Sequence, residues 1–230
     1  MLKENYDRVR KEIDDACRRV GRDPNEVTLI CVSKTKPNEM LKELYDAGIR
    51  DFGENKVQEL SGKMEALPDD INWHMIGHLQ RNKVKYIIGK TKLIHSVDSF
   101  RLAEEINIQA KRLGIVVPVL IELNVGEEES KFGLDTADAL LFVKQVAMLD
   151  GLKVMGLMTV APYVVDPEEN REIFHKIKCL AVDIMSENID NVSMDVLSMG
   201  MTNDYIVAVE EGATHVRVGT GIFGERNYSK

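Results

Sequence analysis

The sequence contains few cysteines and no long apolar run. Its three cysteines, Cys17, Cys31 and Cys179, are far apart and form no CxxC pair. An odd, sparse set of this kind excludes a disulfide framework and favours reduced thiols. No apolar segment reaches the roughly 20 residues that a transmembrane helix needs. The first 21 residues are charged throughout, unlike a signal peptide. We therefore expect a cytoplasmic protein that does not enter a membrane.

Basic residues are outnumbered by acidic residues. The chain has 30 Lys and Arg residues against 38 Asp and Glu residues, a net charge of −8. Nucleic-acid binding needs a basic surface, so we expect no nucleic-acid partner. One exception is the segment 80–92, which holds five cations and no acid. This segment is either a solvated helix face or a rim that attracts anions.

Short apolar runs alternate along the chain with longer segments of helical periodicity. An amphipathic helix is predicted first, over residues 3–20. The predicted strands cover residues 27–33, 50–54, 71–77, 92–97, 116–125, 152–158, 194–200 and 214–219. Between them, helices are predicted at 38–47, up to about 66, from about 81, after Ser99, and near 135–148, 168–187 and 203–212.

Alternation of strands and helices implies a parallel sheet. Eight such units in roughly 200 residues fit a closed (β/α)8 TIM barrel with an extra N-terminal helix. A doubly wound open sheet is the alternative. No linker or low-complexity segment divides the chain, so we expect a single domain over residues 1–230. A barrel would bring the C-terminal ends of its strands to one rim, where active sites of this fold lie.

Two lysines follow the first predicted strand in the segment CVSKTKP. Strand alternation places Lys34 on the same face as Ile30 and Val32, whereas Lys36 lies beyond the strand and before Pro37. A lysine in a tight pocket loses proton affinity, and its neutral amine can form a Schiff base with a carbonyl. A solvated strand end is the other interpretation of Lys34.

Glycines and hydroxyl residues follow the last two predicted strands. The segment 217–227 contains a literal GxGxxG, but too few residues follow it for the second strand and the acid of a dinucleotide fold. Together with the segment 198–204, it instead predicts a phosphate-binding site, for which tight turns are the alternative. Arg217, inside the last strand, is either in a structural ion pair or directed at a ligand.

His74 and His78 are four residues apart, a spacing that also occurs in metal sites. No cysteine or acidic pattern accompanies them, so we predict no metal site. His74 is interpreted as a polar core or rim residue.

Several segments together resemble the pyridoxal phosphate homeostasis protein family, which is similar to the barrel domain of alanine racemase. The segments are VSKTKP (32–37), FGEN (52–55), VQEL (57–60), WHMIGHLQRNK (73–83), GLMT (156–159), LSMGMTND (197–204) and VRVGTGIFGERNY (216–228). They run in one order through nearly the whole chain, which makes the resemblance specific.

The resemblance implies that the protein binds pyridoxal 5'-phosphate (PLP) as a Schiff base on Lys34. It also implies that the phosphate rests on Ser198, Gly200, Gly219 and Thr220, that Arg217 faces the pyridine nitrogen, and that Asn55, Met158 and Met199 line the cofactor. Members of this family are regarded as binding and supplying PLP, including to apo-enzymes, without established catalysis. A monomer is expected, because no second domain supplies a partner surface.

An arginine opposite the pyridine nitrogen agrees with a role without catalysis. A guanidinium gives up its proton only above pH ~12, so it cannot protonate the ring and PLP becomes a poor electron sink. Two alternatives remain open from the residues. One is a PLP-dependent amino-acid racemase, and the other is a class I aldolase that uses Lys34 with a sugar phosphate.

Overall fold

A closed parallel barrel of eight strands forms the centre of the protein. The computed structural model describes residues 1–125 and 132–225. Each strand pairs with the next along the chain, and β8 returns to β1. The strands are β1 Thr28–Val32, β2 Asp51–Glu54, β3 Asn72–Met75, β4 Leu93–Val97, β5 Val117–Leu123, β6 Leu152–Thr159, β7 Val192–Met201 and β8 His215–Val218. The predicted TIM barrel is confirmed, and the open sheet is excluded.

Helices surround the barrel in the described residues. They are α1 Leu2–Arg19, α2 Asn38–Asp46, α3 Val57–Ala66, α4 Val84–Ile87, α5 Phe100–Leu113, α6 Ala139–Ala147, α7 Arg171–Ser186, α8 Tyr205–Glu210 and α9 Thr220–Phe223. The extra helix α1 packs across α8 and α9 and buries its apolar stripe, which includes Val9, Ile13 and Cys17. It therefore covers the outside of the barrel where the first and last units meet.

The segment 80–92 differs most from the prediction. Its polar helix is short, a single 3-10 turn over Arg81–Lys83 followed by α4. Arg81, Lys85, Lys90 and Lys92 are exposed. Exposed cations fit both interpretations of this segment, a solvated helix face and a rim that attracts anions. None of the helices in the described ranges combines the length and apolar character needed to cross a membrane.

The apolar core has two parts. Most buried apolar side chains, such as Phe52, Leu60 and Phe174, fill the layer between the barrel and the helices. A small group, Leu93, Leu120 and Met158, packs separately within the barrel. Much of the remaining interior of the barrel is polar, because side chains from β2, β3, β4, β7 and β8 hydrogen-bond across it.

Candidate functional site

A cavity of about 550 Å³ opens at the C-terminal ends of the strands. Its lining residues are Val32, Lys34, Lys36, Asn55, Ile76, Val160, Tyr163, Met201, Thr202, Asn203, Arg217, Gly219 and Thr220. Of the residues predicted from the sequence, Lys34, Asn55, Arg217, Gly219 and Thr220 are brought together here. The barrel thus combines an amine, a guanidinium and a glycine-containing turn in one concave site.

Lys34 lies two residues after the end of β1, at a turn held by its neighbours. Thr35 has a positive φ of 64°, unusual for a β-branched residue, and its amide donates to Glu59 at 2.6 Å. Lys36 also lines the cavity, but its Nζ lies 3.2 to 3.3 Å from the carbonyl oxygens of residues 223–225. These contacts attach Lys36 to the end of α9 and to the residues just after it.

A buried ion pair lies beneath this turn. The ammonium of Lys63, on α3, donates to the carboxylates of Glu54 at 2.6 Å and Glu59 at 2.8 Å. It also donates to the carbonyl of Ser33 at 2.8 Å, and the Ser33 hydroxyl donates to Glu54 at 2.6 Å. Lys63 is only 5% exposed and Glu54 is fully buried. Burial raises the pKa of Glu54, and the hydrogen bonds from Lys63 and Ser33 oppose that rise.

These contacts join the ends of β1 and β2 to α3. Ser33 immediately precedes Lys34, and Glu54 immediately precedes Asn55. The ion pair therefore fixes the backbone next to two lining residues. Sequence reasoning missed Lys63. The only signal is that it lies four residues after Glu59 on a helix, which by itself suggests an exposed pair.

Asn55 approaches the cavity because Gly77 has no side chain. A Cβ on Gly77 would lie 2.5 Å from the carbonyl oxygen of Asn55 and 2.7 Å from its Cα. The Oδ1 atom of Asn55 is buried and has no hydrogen-bond partner among the described residues. A buried acceptor without a partner is costly, so this atom is available to a ligand with a hydrogen-bond donor.

Arg217 reaches the cavity from inside the barrel and is 4% exposed. Its Nη1 donates to the hydroxyl of Ser198 at 2.5 Å, and its Nη2 donates to the carbonyl of Thr159 at 2.7 Å. Burial lowers the pKa of Arg217 to about 10, so the guanidinium stays charged at neutral pH.

Two loops provide the polar wall on the other side. The amide of Gly219 donates to the Thr202 hydroxyl at 3.3 Å, which connects the loop after β7 to the start of α9. Asp204 holds the loop after β7 in place by accepting from the amide of Met201 at 2.7 Å. The amides in the first turn of a helix have no acceptor within the helix. Those of Thr220 and Gly221 are in this position in α9.

Four predicted site residues do not line the cavity. Ser198 is fully buried beneath Arg217, with its hydroxyl already in two hydrogen bonds. Met199 packs in the outer core, and Met158 lies in the apolar group inside the barrel. Gly200 has a φ of 90°, and a Cβ there would lie 2.5 Å from the Cβ of Ala208. Close packing against α8 therefore explains why position 200 is a glycine.

In the segment after β7, Thr202, two residues after Gly200, lines the cavity. The β7 register shifts between Ser198 and Met201 where it pairs with β8. Counting alternate residues along a regular strand therefore misplaces the residues that reach the rim.

The two spaced histidines do not form a metal site. His74 points into the barrel, where its Nε2 lies 3.1 Å from Asp51 and its Nδ1 lies 2.9 Å from His95. His78 pairs instead with Asp98 at 3.0 Å, and its ring stacks on Phe132 at 3.9 Å between centroids. Over the described ranges, no group of three or more His, Cys, Asp or Glu side chains is placed to hold a metal ion.

Sequence comparisons match the chain to one protein family and to curated relatives that share a single name. The family Alanine racemase, N-terminal domain, matches residues 4–227. The pyridoxal phosphate homeostasis protein of Aquifex aeolicus is 47% identical over 226 residues, which covers 98% of each chain. The protein of the same name from Escherichia coli K12 is 38% identical over 231 residues, covering 98% of this chain and 97% of its own.

Solved structures agree with this placement. PipY of Synechococcus elongatus, solved with PLP bound, is 35% identical with a TM-score of 0.79, and the match covers 92% of this chain and 100% of PipY. Alanine racemase of Clostridium difficile 630 has a TM-score of 0.76 at 14% identity, so it shares the fold alone. This chain covers 57% of that racemase. The predicted resemblance is confirmed: the chain belongs to the pyridoxal phosphate homeostasis protein family, whose barrel is that of the alanine racemase N-terminal domain.

Proposed function

We propose that this protein binds PLP as a Schiff base on Lys34 and serves to supply and buffer it. The observation that carries the proposal is the meeting of Lys34, Arg217 and the Gly219–Thr220 turn in one cavity of about 550 Å³. The relatives named pyridoxal phosphate homeostasis proteins, and PipY with PLP bound, support the same assignment.

The residues present fit the cofactor. Lys34 supplies the amine for its aldehyde, and Arg217 supplies a fixed cation for the side of the ring that bears the nitrogen. The phosphate is assigned to Gly219, Thr220 and Thr202, because the Ser198 hydroxyl is occupied below them. The unpartnered Oδ1 of Asn55 gives the cavity a further polar contact.

PLP supplies a reactive aldehyde and, when its ring nitrogen is protonated, an electron sink. The side chains of this site do little to promote the second property. Arg217 keeps its own proton at neutral pH, since its pKa of about 10 lies well above that range. It can donate a hydrogen bond to the ring nitrogen but cannot protonate it.

We further propose that the protein is not a catalyst. A racemase needs a second base opposite its lysine. Among the described lining residues, Tyr163 is 83% exposed, and Lys36 is attached to three backbone carbonyls. Neither is positioned as such a base. The protein would act in the cytoplasm as a monomer and would deliver PLP to apo-enzymes.

The assignment is tested by mixing the purified protein with PLP. We expect a visible absorption band, and reduction with borohydride should fix the cofactor mass on the tryptic peptide that contains Lys34. A protein that gains no band would contradict the proposal and would favour the aldolase alternative, which uses Lys34 on a sugar phosphate.

The absence of catalysis is tested by deuterium exchange. With the PLP-loaded protein in heavy water, we expect deuterium to enter the Cα of alanine no faster than with free PLP at the same concentration. Proton nuclear magnetic resonance (NMR) follows the loss of the Cα signal, and alanine racemase serves as the positive control. Exchange well above the free-cofactor rate would establish the racemase alternative.

A further inference from the structure

A continuous line of polar side chains crosses the interior of the barrel and ends at Arg217. We call it the internal chain; its members in order are Lys92, Asp51, His74, His95, Ser198 and Arg217. Successive donor–acceptor distances are 3.0, 3.1, 2.9, 2.9 and 2.5 Å. Asp51 begins β2, so the far end lies at the opposite side of the barrel from the cavity.

The two ends of the internal chain fix its direction. A guanidinium can only donate, so Arg217 gives a hydrogen to the oxygen of Ser198. A carboxylate can only accept, so Asp51 receives hydrogens from Lys92 and His74. Burial by itself would raise the pKa of Asp51, but the hydrogen bonds from His74 and Lys92 bring it down to about 2. Asp51 is therefore ionised at neutral pH.

The middle of the internal chain then has one consistent arrangement of hydrogens. His74 and His95 are fully buried, and burial lowers the pKa of each ring, which leaves both neutral with one N–H apiece. His74 donates from Nε2 to Asp51, so its Nδ1 must accept from Nε2–H of His95. The Nδ1 of His95 accepts in turn from the Ser198 hydroxyl. Each of these links contains one hydrogen.

The reverse arrangement is unfavourable at two points. It would direct the lone pair of His74 Nε2 at the Asp51 carboxylate. It would also make the Ser198 oxygen accept from both His95 and Arg217, which leaves its own hydrogen without an acceptor in the internal chain. An unmade hydrogen bond in a buried site costs more than a typical bond contributes.

Asp204 acts through its charge on Arg217, and Tyr6 and Cys31 lie near Asp51. Two further titratable side chains, His215 and Glu122, also face the internal chain. His215 lies with its ring 6.0 Å from His74 and 6.2 Å from His95, and its Nδ1 is 3.1 Å from the Thr214 hydroxyl. Burial lowers the pKa of His215 to about 3, so it is neutral. Glu122 is 8% exposed, and burial together with Asp98 raises its pKa to about 7. Neither makes a hydrogen bond to a member of the internal chain in the described structure.

We propose that Asp51, His74, His95 and Ser198 are positioning residues: their one-directional hydrogen bonds hold Arg217 in the orientation in which it faces the cofactor ring. The direction of the hydrogen bonds is independent of any ligand. The effect on the cofactor rests on the proposed binding of PLP. His74 and Ser198 lie in the motifs WHMIG and LSMG, but neither lines the cavity. Membership of the internal chain gives both residues a role.

The direction of the hydrogen bonds is tested in the wild-type protein without cofactor. After labelling with ¹⁵N-histidine, NMR is expected to show both His74 and His95 as the Nε2–H tautomer through neutral pH. Substitution of each histidine by glutamine assigns its signals. Either ring found as the Nδ1–H tautomer, or as the charged imidazolium at neutral pH, would overturn the proposal.

The effect on Arg217 is tested with Ser198→Ala. We expect PLP affinity to fall about tenfold, the size expected for losing one hydrogen bond to a charged group. Because a cation near the ring disfavours the protonated Schiff base, a less firmly held Arg217 should raise the apparent pKa of the visible band. Ser198→Thr, which keeps the hydroxyl, should restore both values.

Ser96→Ala is the matched control. Ser96 is fully buried on β4 next to His95, and its hydroxyl has no partner among the described residues. This variant should bind PLP as the wild type does. If the wild type binds PLP and Ser198→Ala matches it in affinity and band pKa, the positioning role is wrong. If the wild type binds no PLP, the proposed function fails, while the tautomer measurement still decides the hydrogen-bond direction.

Discussion

Lys34→Ala is expected to remove the visible absorption band of the PLP-bound protein completely, and borohydride should then trap no adduct. The alanine leaves the contacts of Arg217, Thr202 and Gly219 intact, so residual binding through the phosphate and ring is expected. Only the covalent bond is lost, because no other described lining amine is available. Spectrophotometric titration and mass spectrometry of the reduced protein make the measurement.

Lys36→Ala is the control, since both lysines line the same cavity. The Nζ of Lys36 is used by the carbonyls of residues 223–225, at the end of α9. The variant should keep the visible band while its melting temperature falls, because these carbonyls lose their donor. A band lost with Lys36→Ala and retained with Lys34→Ala would exchange the roles that we assign to the two lysines.

Periodicity was enough to predict the barrel and the candidate amine. Eight apolar runs separated by helical segments fix a parallel sheet, and an amine just after the first run must lie at its C-terminal edge. The positions around Ser198 could not be predicted in the same way. The irregular register near Met201 changes which residues reach the rim, and strand alternation gives no sign of that shift.

The hydrogen-bonded side chains inside the barrel could not be predicted from the sequence either. His74 and His95 each lie in a short strand among apolar residues, and either could be read as a satisfied core histidine. Only closure of the barrel brings β3, β4, β7 and β8 close enough for Arg217 to connect through these rings to Asp51. The pairing depends on distant segments of the chain, so local sequence patterns cannot show it.

Two buried polar systems therefore support Lys34 and Arg217 in the cavity. The internal chain holds Arg217, and the ion pair of Lys63 and Glu54 holds the strand ends that carry Lys34 and Asn55. Sequence motifs reflect this support as well as ligand contact. Ser33 and Glu54, within the motifs VSKTKP and FGEN, contact Lys63 and each other and are absent from the cavity lining.

Lys63→Met is expected to lower the free energy of unfolding by about 3–5 kcal/mol, the range for removing one partner of a buried ion pair. Methionine fills similar volume, so the loss arises mainly from leaving the buried Glu54 carboxylate without its countercharge and the Ser33 carbonyl without its donor. Urea unfolding followed by circular dichroism gives the value. Lys42→Met, which removes an exposed pair with Asp46 on α2, should have little effect.

The double variant Lys63→Met with Glu54→Gln distinguishes charge from packing. Removing both charges abolishes the unpaired carboxylate, so it should recover much of the stability lost in the single variant. PLP affinity should follow the same order, with the double variant closer to the wild type, because the turn at Lys34 depends on the same contacts. A single variant that loses less than about 1 kcal/mol, or a double variant no more stable than the single one, would show that this ion pair does not hold the turn.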